Sequence, residues 1–299
     1  MNPFAQKYAE KNAEKTVNHG FKPSELADDH FVLGSGKMSE KYGAVELMPG
    51  GHGWGQYVPD EEYQNRNGFE TMACTVFATL KALGTLAHFQ GFKDFPENSS
   101  ERYGAVMAGV SPSGADPHKV IDTFRNLSGV IPNGALPWTT QRTWNDFYAP
   151  KPMLASFIAM GQIIIRNFDI GHEWVFSGKD SNKPAKLKAA LSRGTVCASV
   201  HAWKEKDGFY FKDTDDIDNH WIQIVDYEDG KYWEISDQYL PFRKKLSWDY
   251  DFYQSKWYAL KRKENTTNAD FSAVLSLMIY NLKTMLSILV KRLGLWNGS

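Results

Sequence analysis

Cysteine is scarce in this sequence, which has only Cys74 and Cys197 among its 299 residues. Two cysteines cannot build the multiple-disulfide framework of a small secreted domain, and they do not form the C-x-x-C pair typical of thiolate zinc sites. A reducing or disulfide-indifferent setting is therefore expected. No metal and no organic cofactor are predicted.

The sequence also lacks an excess of one charge, because 34 Lys and Arg residues stand against 35 Asp and Glu residues, for a net charge of -1. A nucleic-acid-binding domain usually carries a basic face, so no nucleic-acid partner is expected. The first residues, MNPFAQKYAEKNAEKTV, lack the apolar run of a signal peptide. We therefore expect the protein in the cytoplasm or assembled in a particle.

Apolar and aromatic residues are plentiful, with 42% hydrophobic residues, 10 Trp, 14 Tyr and 18 Phe, so a sizeable core is feasible. Helical patterns come first along the chain. They include a nearly uncharged run at 72–90, a helix capped by Asp116 with Pro117 at its first position, and a short helix at 184–194. Strand patterns with Asp-Gly turns follow from residue 195 onward. This order predicts an α+β fold.

Three segments are predicted: an N-terminal arm at 1–44, a domain at 45–262, and a linker with a C-terminal amphipathic helix at 263–299. In the tail, an apolar row recurs with an eleven-residue period, which is typical of a packing helix. Its members are Phe271, Val274, Met278, Leu282, Met285, Leu289 and Leu293. We expect residues 271–295 to bind a partner protein or a second copy. Packing on the chain's own domain and membrane contact are the alternatives, and Asn281 and Lys283 make a membrane span costly.

Cys74 stands in NGFETMACTVF, at the start of the apolar helix. Unpaired N–H groups at a helix N-terminus favour a thiolate, which is the nucleophilic form of cysteine. A buried, inert cysteine in the core is the alternative interpretation. Cys197 lies within a strand pattern and is predicted to be a core residue.

A thiolate also needs a base and a group that orients the base. His220 heads a predicted strand, and the turn at Asp229-Gly230 returns the chain so that Asp237 comes back beside it. Asp237 is therefore a candidate to hold one ring nitrogen while the other faces the sulfur. His201 is the competing histidine, but no hairpin brings an acceptor back to it.

Together these stretches resemble the papain-like cysteine peptidases. The motif NGFET-x-x-C looks closer to phage and bacterial members of that family than to lysosomal ones. NGFETMACTVFA resembles the nucleophile segment, DNHWIQIVDYED the histidine segment, and YWEISDQY the W-x-x-K-N-S-W segment, with Asp237 at the Asn position and Tyr239 at the Trp position. The resemblance covers about residues 45–262. It implies a two-lobed α+β fold, with a helical lobe carrying the nucleophile helix and an antiparallel β lobe carrying the histidine.

The resemblance also implies roles for other residues. Gly114 would lie beside an extended peptide substrate, although a helix-entry turn explains this glycine equally well. The oxyanion-hole Gln normally precedes the nucleophile by six residues, but Gly68 stands there. Gln64 is the preferred replacement, and Asn67 is the alternative. The family's nearby disulfide cannot form, because Thr71 replaces its first cysteine.

Two functions of different classes follow from the sequence. The first is a cysteine peptidase that hydrolyses peptide bonds in a peptide or protein substrate through Cys74, His220, Asp237 and Gln64. The second is a papain-like binding module with little or no catalysis, anchored in a larger assembly such as a virion. The N-terminal arm is short and is not expected to be an inhibitory segment.

Overall fold

A computed structural model describes residues 19–27, 30, 32, 52–149, 154–180, 182–214 and 216–264. Contacts between Cα atoms divide the chain into Met1–Arg262 and Lys263–Ser299. The helices and strands of the described residues all lie in Met1–Arg262. The predicted tail helix, with its candidate membrane span, lies outside the described residues. Within the described part of the chain, no helix is long and apolar enough to cross a membrane.

The longest helix in the described residues, α1, spans Cys74–Phe89 and was predicted from the uncharged run. Every residue from Cys74 to Ala87 in it is buried. Its one formal charge, Lys81, is also buried, and its Nζ donates to the Ser236 hydroxyl at 3.2 Å and to the Asp237 carbonyl at 3.1 Å. Burial lowers the pKa of Lys81 to about 8. These bonds tie the first half of α1 to the segment that carries Asp237.

The described part of the chain contains five further helices. They are α2 (Glu101–Met107), α3 (Pro117–Thr123), α4 (Trp144–Phe147), α5 (Leu154–Asn167) and α6 (Lys183–Leu191), with a π-helical turn at Phe124–Ser128 and 3-10 turns at Trp54–Tyr57 and Asn133–Ala135. As predicted, Asp116 caps α3 by accepting from the backbone of His118 and Lys119, and Pro117 is its first residue.

Eight strands of the described residues form one sheet in the order β1-β8-β2-β5-β6-β7-β4-β3. Their bounds are β1 Phe168–Ser177, β2 Val196–Val200, β3 Lys204–Lys206, β4 Phe209–Phe211, β5 His220–Glu228, β6 Tyr232–Ser236, β7 Arg243–Ser247 and β8 Gln254–Arg262. All neighbouring pairs are antiparallel except β4 and β7, which are parallel. The sheet is therefore almost wholly antiparallel, as expected.

Helix α1 lies against the central strands of this sheet. The Cys197 thiol on β2 donates to the Ala78 carbonyl at 3.5 Å, and the Gln223 amide on β5 donates to the Thr85 hydroxyl at 3.1 Å. Cys197 is fully buried, as predicted for a core residue. This packing places the first turn of α1 next to the start of β5 and the end of β6.

Candidate active site

Cys74 is the first residue of α1, and its side chain is completely buried. The chain enters the helix through Met72, which has the positive φ of 56° that is uncommon for a residue with a side chain. A backbone hydrogen bond from Trp221 is among the interactions that act on the thiol. The sulfur therefore meets β5 at the residue that directly follows His220.

The thiol of Cys74 does not have the lowered pKa that its helix position predicts. Burial raises the pKa of Cys74 well above the usual value, and the charges of Glu70 and Asp237 raise it further. Loss of hydration disfavours the thiolate more than the helix N-terminus favours it. In this conformation Cys74 is a neutral thiol.

His220 and Asp237 form a completely buried pair, with 2.6 Å between Nε2 of His220 and Oδ1 of Asp237. Since an ionised carboxylate can only accept, Nε2 carries the ring proton. Burial would raise the pKa of Asp237, but the charge of Lys244 and the hydrogen bonds from His220 and Lys244 outweigh it and hold that pKa well below its usual range. The β5–β6 hairpin thus brings these two residues together.

Lys244 is a member of this group that the sequence did not reveal. Its Nζ lies 2.5 Å from Oδ2 of Asp237 and also donates to the carbonyls of Tyr239 and Pro241, both at 2.7 Å. Nothing in the stretch PFRKKLSWD distinguishes this lysine from its neighbours. Only the packing of β7 beside β6 turns it inward.

The other ring nitrogen of His220, Nδ1, is buried and has no hydrogen-bond partner in the described part of the chain. Aromatic rings surround the imidazole, with centroids 5.3 Å away for Tyr239 and 5.7 Å away for Trp203. Burial lowers the pKa of His220, so the ring is neutral. A neutral ring with a free Nδ1 can accept a proton.

Of the two amides considered from sequence, Gln64 is the one at this site. It is buried, its backbone N–H bonds to the Gln238 carbonyl at 3.0 Å, and its Nε2 donates to Oε1 of Glu70 at 2.6 Å. Asn67 instead donates to the carbonyls of Thr139 at 3.3 Å and Gln141 at 2.9 Å.

The chain's own residues 19–27 run across this site, which the sequence did not predict. The His19 carbonyl accepts from Nε2 of Gln64 at 2.8 Å. Phe21 is buried and stacks on Trp221 with centroids 5.4 Å apart. We call residues 19–27 the covering segment, because His19 bonds to Gln64 and Phe21 stacks on Trp221.

Gly114 lies directly beside the covering segment. The Ala115 N–H donates to the Gly20 carbonyl at 2.8 Å, and the Lys22 N–H donates to the Ala115 carbonyl at 3.1 Å. Phe21 and Ala115 form a parallel bridge. A Cβ on Gly114, which has a φ of 93°, would lie 2.0 Å from the Gly20 oxygen. Glycine at 114 thus lets an extended peptide approach.

In the described part of the chain, no three His, Cys, Asp or Glu side chains are grouped to hold an ion. The thiol, imidazole, carboxylate and amide at this site instead suit acyl transfer through a cysteine nucleophile.

The sequence matches no family model and no curated protein. Among solved structures, the chain is similar to digestive procathepsin L2 proteinase and procathepsin L 3 of Tenebrio molitor larval midgut, with TM-scores of 0.54 and 0.50. Both alignments have 15% identity and cover 87% of this chain and 81% of the other. It is also similar to procathepsin B S9 of Trypanosoma congolense, with a TM-score of 0.53, 10% identity, and coverage of 88% and 98%.

These likenesses concern the fold, and they do not favour a phage or bacterial origin. They agree with a long helix at Cys74–Phe89 that is followed along the chain by an almost wholly antiparallel sheet. The chain therefore has the two-lobed α+β fold of the papain-like cysteine peptidases.

Proposed function

We propose that this protein is a cysteine peptidase that hydrolyses peptide bonds, with Cys74 as nucleophile, His220 as base and Asp237 as the residue that orients His220. The observation that carries the proposal is the buried His220–Asp237 pair whose Nδ1 remains unpartnered beside the start of α1. Activation of a thiol requires a neutral imidazole that a carboxylate holds in one tautomer. The backbone hydrogen bond that joins the Cys74 thiol to Trp221 brings the sulfur to the residue after His220.

The reaction begins when the Cys74 thiol transfers its proton to Nδ1 of His220 and the sulfur bonds to the substrate carbonyl carbon. The imidazolium, stabilised by Asp237, then donates its proton to the leaving nitrogen as the C–N bond breaks. Water attacks the resulting thioester, again with His220 as base, and releases the carboxylic acid and the Cys74 thiol.

Gln64 and the Cys74 N–H are the donors proposed to stabilise the oxyanion. The contact that supports this role for Gln64 is its 2.8 Å bond to the His19 carbonyl, which is a peptide oxygen within the cleft. Gly114 would align an extended substrate, as it aligns the covering segment. Asn67 is not proposed to take part, because its amide donates to Thr139 and Gln141.

A substrate competes with the covering segment for this cleft. The conformation described is thus a closed one, in which burial keeps Cys74 as a thiol. Displacement of residues 19–27 would hydrate the site, remove part of the desolvation cost and allow a thiolate–imidazolium pair at neutral to mildly acidic pH.

The alternative function is a papain-like binding module with weak or no catalysis, held in a larger assembly such as a virion through residues 271–295. The raised pKa of Cys74 and the filled cleft favour it. The test is hydrolysis of a quenched fluorescent peptide mixture by the full chain, with Cys74→Ala and His220→Ala as controls. Activity that both substitutions abolish supports the peptidase, and equal turnover in all three proteins contradicts it.

A further inference from the structure

Glu70 is a carboxylate at the candidate site to which the proposed reaction assigns no role. It accepts from the Met72 N–H at 3.0 Å, from Nε2 of Gln64 at 2.6 Å and from the Tyr239 hydroxyl. Burial would raise the pKa of Glu70, but hydrogen bonds from His19, Tyr239 and the Met72 backbone hold it below the usual value. The group is therefore an anion beside the reacting residues.

The basic side chain that faces Glu70 comes from the covering segment. Nδ1 of His19 lies 3.6 Å from Oε2 of Glu70 and 3.2 Å from the Tyr239 hydroxyl. The other buried carboxylate of the site, Asp237, is paired instead with Lys244 and His220. When the covering segment leaves, Glu70 loses this basic neighbour.

The position of His19 relates this pair to the chemistry. Its ring centroid is 5.3 Å from that of His220 and 4.8 Å from that of Tyr239. The next residue, Gly20, passes so close to the chain before Cys74 that a Cβ on it would lie 2.0 Å from the Met72 oxygen. A substrate residue that took the position of His19 would therefore be the direct sequence neighbour of the residue that lies against the segment before Cys74.

The surroundings can accept a charged group without full desolvation. The side chains of His19 and Glu70 are 16% and 21% exposed, so a cation there keeps part of its hydration. Tyr239 adds a hydroxyl and an aromatic ring, and both stabilise an ammonium or guanidinium group. A carboxylate of the substrate would be repelled by Glu70.

We propose that Glu70 and Tyr239 form a subsite for a positively charged side chain of the peptide substrate, and that His19 occupies this subsite as an internal stand-in. Glu70 is then a specificity-determining residue. It selects substrates that have Lys or Arg at the position that His19 occupies in the covering segment. This inference rests on the proposed function, but its binding component can be measured without catalysis.

The test uses the full chain with Cys74→Ala, which prevents turnover, and His19→Ala, which empties the subsite. Two fluorescent decapeptide mixtures, randomised except for a central Lys or a central Gln, are titrated and followed by fluorescence anisotropy. The Lys mixture should bind at least about tenfold more tightly, and Glu70→Gln should remove the preference. Glu228→Gln is the matched control, since it removes an exposed carboxylate at the far end of β5 and should leave the preference intact.

Equal binding of the two mixtures with Glu70 present, or no measurable binding of the Lys mixture, would overturn the subsite. So would a preference that persists in Glu70→Gln. Cleavage is assayed separately with Cys74 intact. A Lys preference without any cleavage would retain the subsite while rejecting the peptidase, so the two failures are distinguishable.

A second measurement keeps the proposal testable if Glu70→Gln does not fold. The alkylation rate of Cys74 by iodoacetamide, a neutral reagent, is followed by mass spectrometry in His19 variants that retain Glu70. His19→Lys should stay as protected as the wild type, whereas His19→Gln should react about tenfold faster. Equal rates for the Lys and Gln variants would show that Glu70 does not select for charge.

Discussion

The His19 carbonyl accepts a 2.8 Å hydrogen bond from the Gln64 amide, so a peptide oxygen of the chain itself is held by the residue proposed to stabilise the oxyanion. This hydrogen bond links the covering segment to the candidate active site. The covering segment contacts the residues of the candidate site, and burial raises the pKa of the Cys74 thiol. Opening of the segment is thus expected to control both the reactivity of the thiol and access of the substrate.

Phe21→Ala is predicted to open the cleft. Phe21 is 3% exposed and stacks on Trp221, so its loss weakens attachment of the covering segment by about 3 kcal/mol. Alkylation of Cys74 and hydrolysis of a peptide mixture should both accelerate by about 10-fold to 100-fold. The control is Leu26→Ala, which removes a half-exposed side chain from the same segment and should change neither rate. If Phe21→Ala and Leu26→Ala behave alike, the segment does not restrain the site through this contact.

Gln64→Ala is predicted to lower kcat by about 10²–10³, because it removes one oxyanion donor from a buried site. KM should change little, since the bond strengthens mainly in the transition state. Steady-state kinetics on one fluorogenic peptide measure both constants. Asn67→Ala is the matched control, because its amide donates to Thr139 and Gln141, and kcat should stay within about twofold. A larger loss in Asn67→Ala than in Gln64→Ala would reverse the assignment.

Asp237→Ala is predicted to damage both stability and activity. The substitution leaves the buried Lys244 ammonium without its carboxylate, which should lower the free energy of unfolding by about 3–5 kcal/mol. It also frees the His220 ring to turn, and kcat/KM should fall by about 10²–10⁴. Urea unfolding and peptide hydrolysis measure the two effects.

The control for this change is Asp251→Ala, which removes a carboxylate that is 77% exposed and paired with Lys183. Its free energy of unfolding should change by less than about 1 kcal/mol, and its kcat/KM should not change. Asp237→Asn keeps an acceptor for Nε2 and should recover part of the activity. An Asn variant as inactive as the Ala variant would mean that the negative charge, and not the orientation of the ring, is what His220 needs.

Local patterns were sufficient to predict the helix that begins at Cys74 and the hairpin that pairs His220 with Asp237. An uncharged run between polar flanks favours a buried helix, and Asp229-Gly230 between two strand patterns favours a tight turn. Each of these patterns involves residues that are close together in the sequence, so it can be recognised without knowing the tertiary structure. The fold class follows from the same patterns, because helices precede antiparallel strands along the chain.

The parts that were missed depend on contacts between distant residues. Lys244 reaches Asp237 only because β7 pairs with β6, and His19 reaches Gln64 across 45 positions of sequence. The strand β1 and the helix α5 before it were also not predicted. The β1 sequence FDIGHEWVFS mixes charged with apolar residues, although the strand is almost wholly buried. The lowered pKa expected for Cys74 was wrong for this closed state, because a helix-start argument contains no information on burial.

A buried cluster away from the cleft predicts acid sensitivity of the fold. Nε2 of His172 lies 3.1 Å from Oδ1 of Asp122, and Nδ1 lies 3.0 Å from Nζ of Lys256, which is itself fully buried. Burial and the charge of Lys256 hold the pKa of His172 well below 6.5. The folded state thus excludes a proton that the unfolded chain binds below about pH 6.5.

Other titratable groups also make the free energy of unfolding depend on pH, some in the same direction as His172 and one in the opposite direction. Burial also lowers the pKa of His220 and of Lys256, which adds to the effect of His172 because the unfolded chain again binds more protons. Glu101 acts in the opposite direction, since burial raises its pKa to about 7 and the folded state binds the extra proton between about pH 4.5 and 7. The lowered pKa of Asp122 affects stability only near pH 4 and below.

His172→Gln is therefore predicted to flatten the decline of stability in acid. A group that binds a proton only when unfolded changes the free energy of unfolding by up to about 1.4 kcal/mol per pH unit, so stability is lost as the pH falls from about 6.5 to 5. Urea unfolding of the wild type and of His172→Gln from pH 5 to 9 measures the slopes. Between pH 8 and 9 the His172 contribution is constant, so the two curves should run parallel there and converge below pH 6.5. Curves that stay parallel down to pH 5 would show that His172 takes up its proton equally in the folded and unfolded states, which its buried contact with Lys256 opposes.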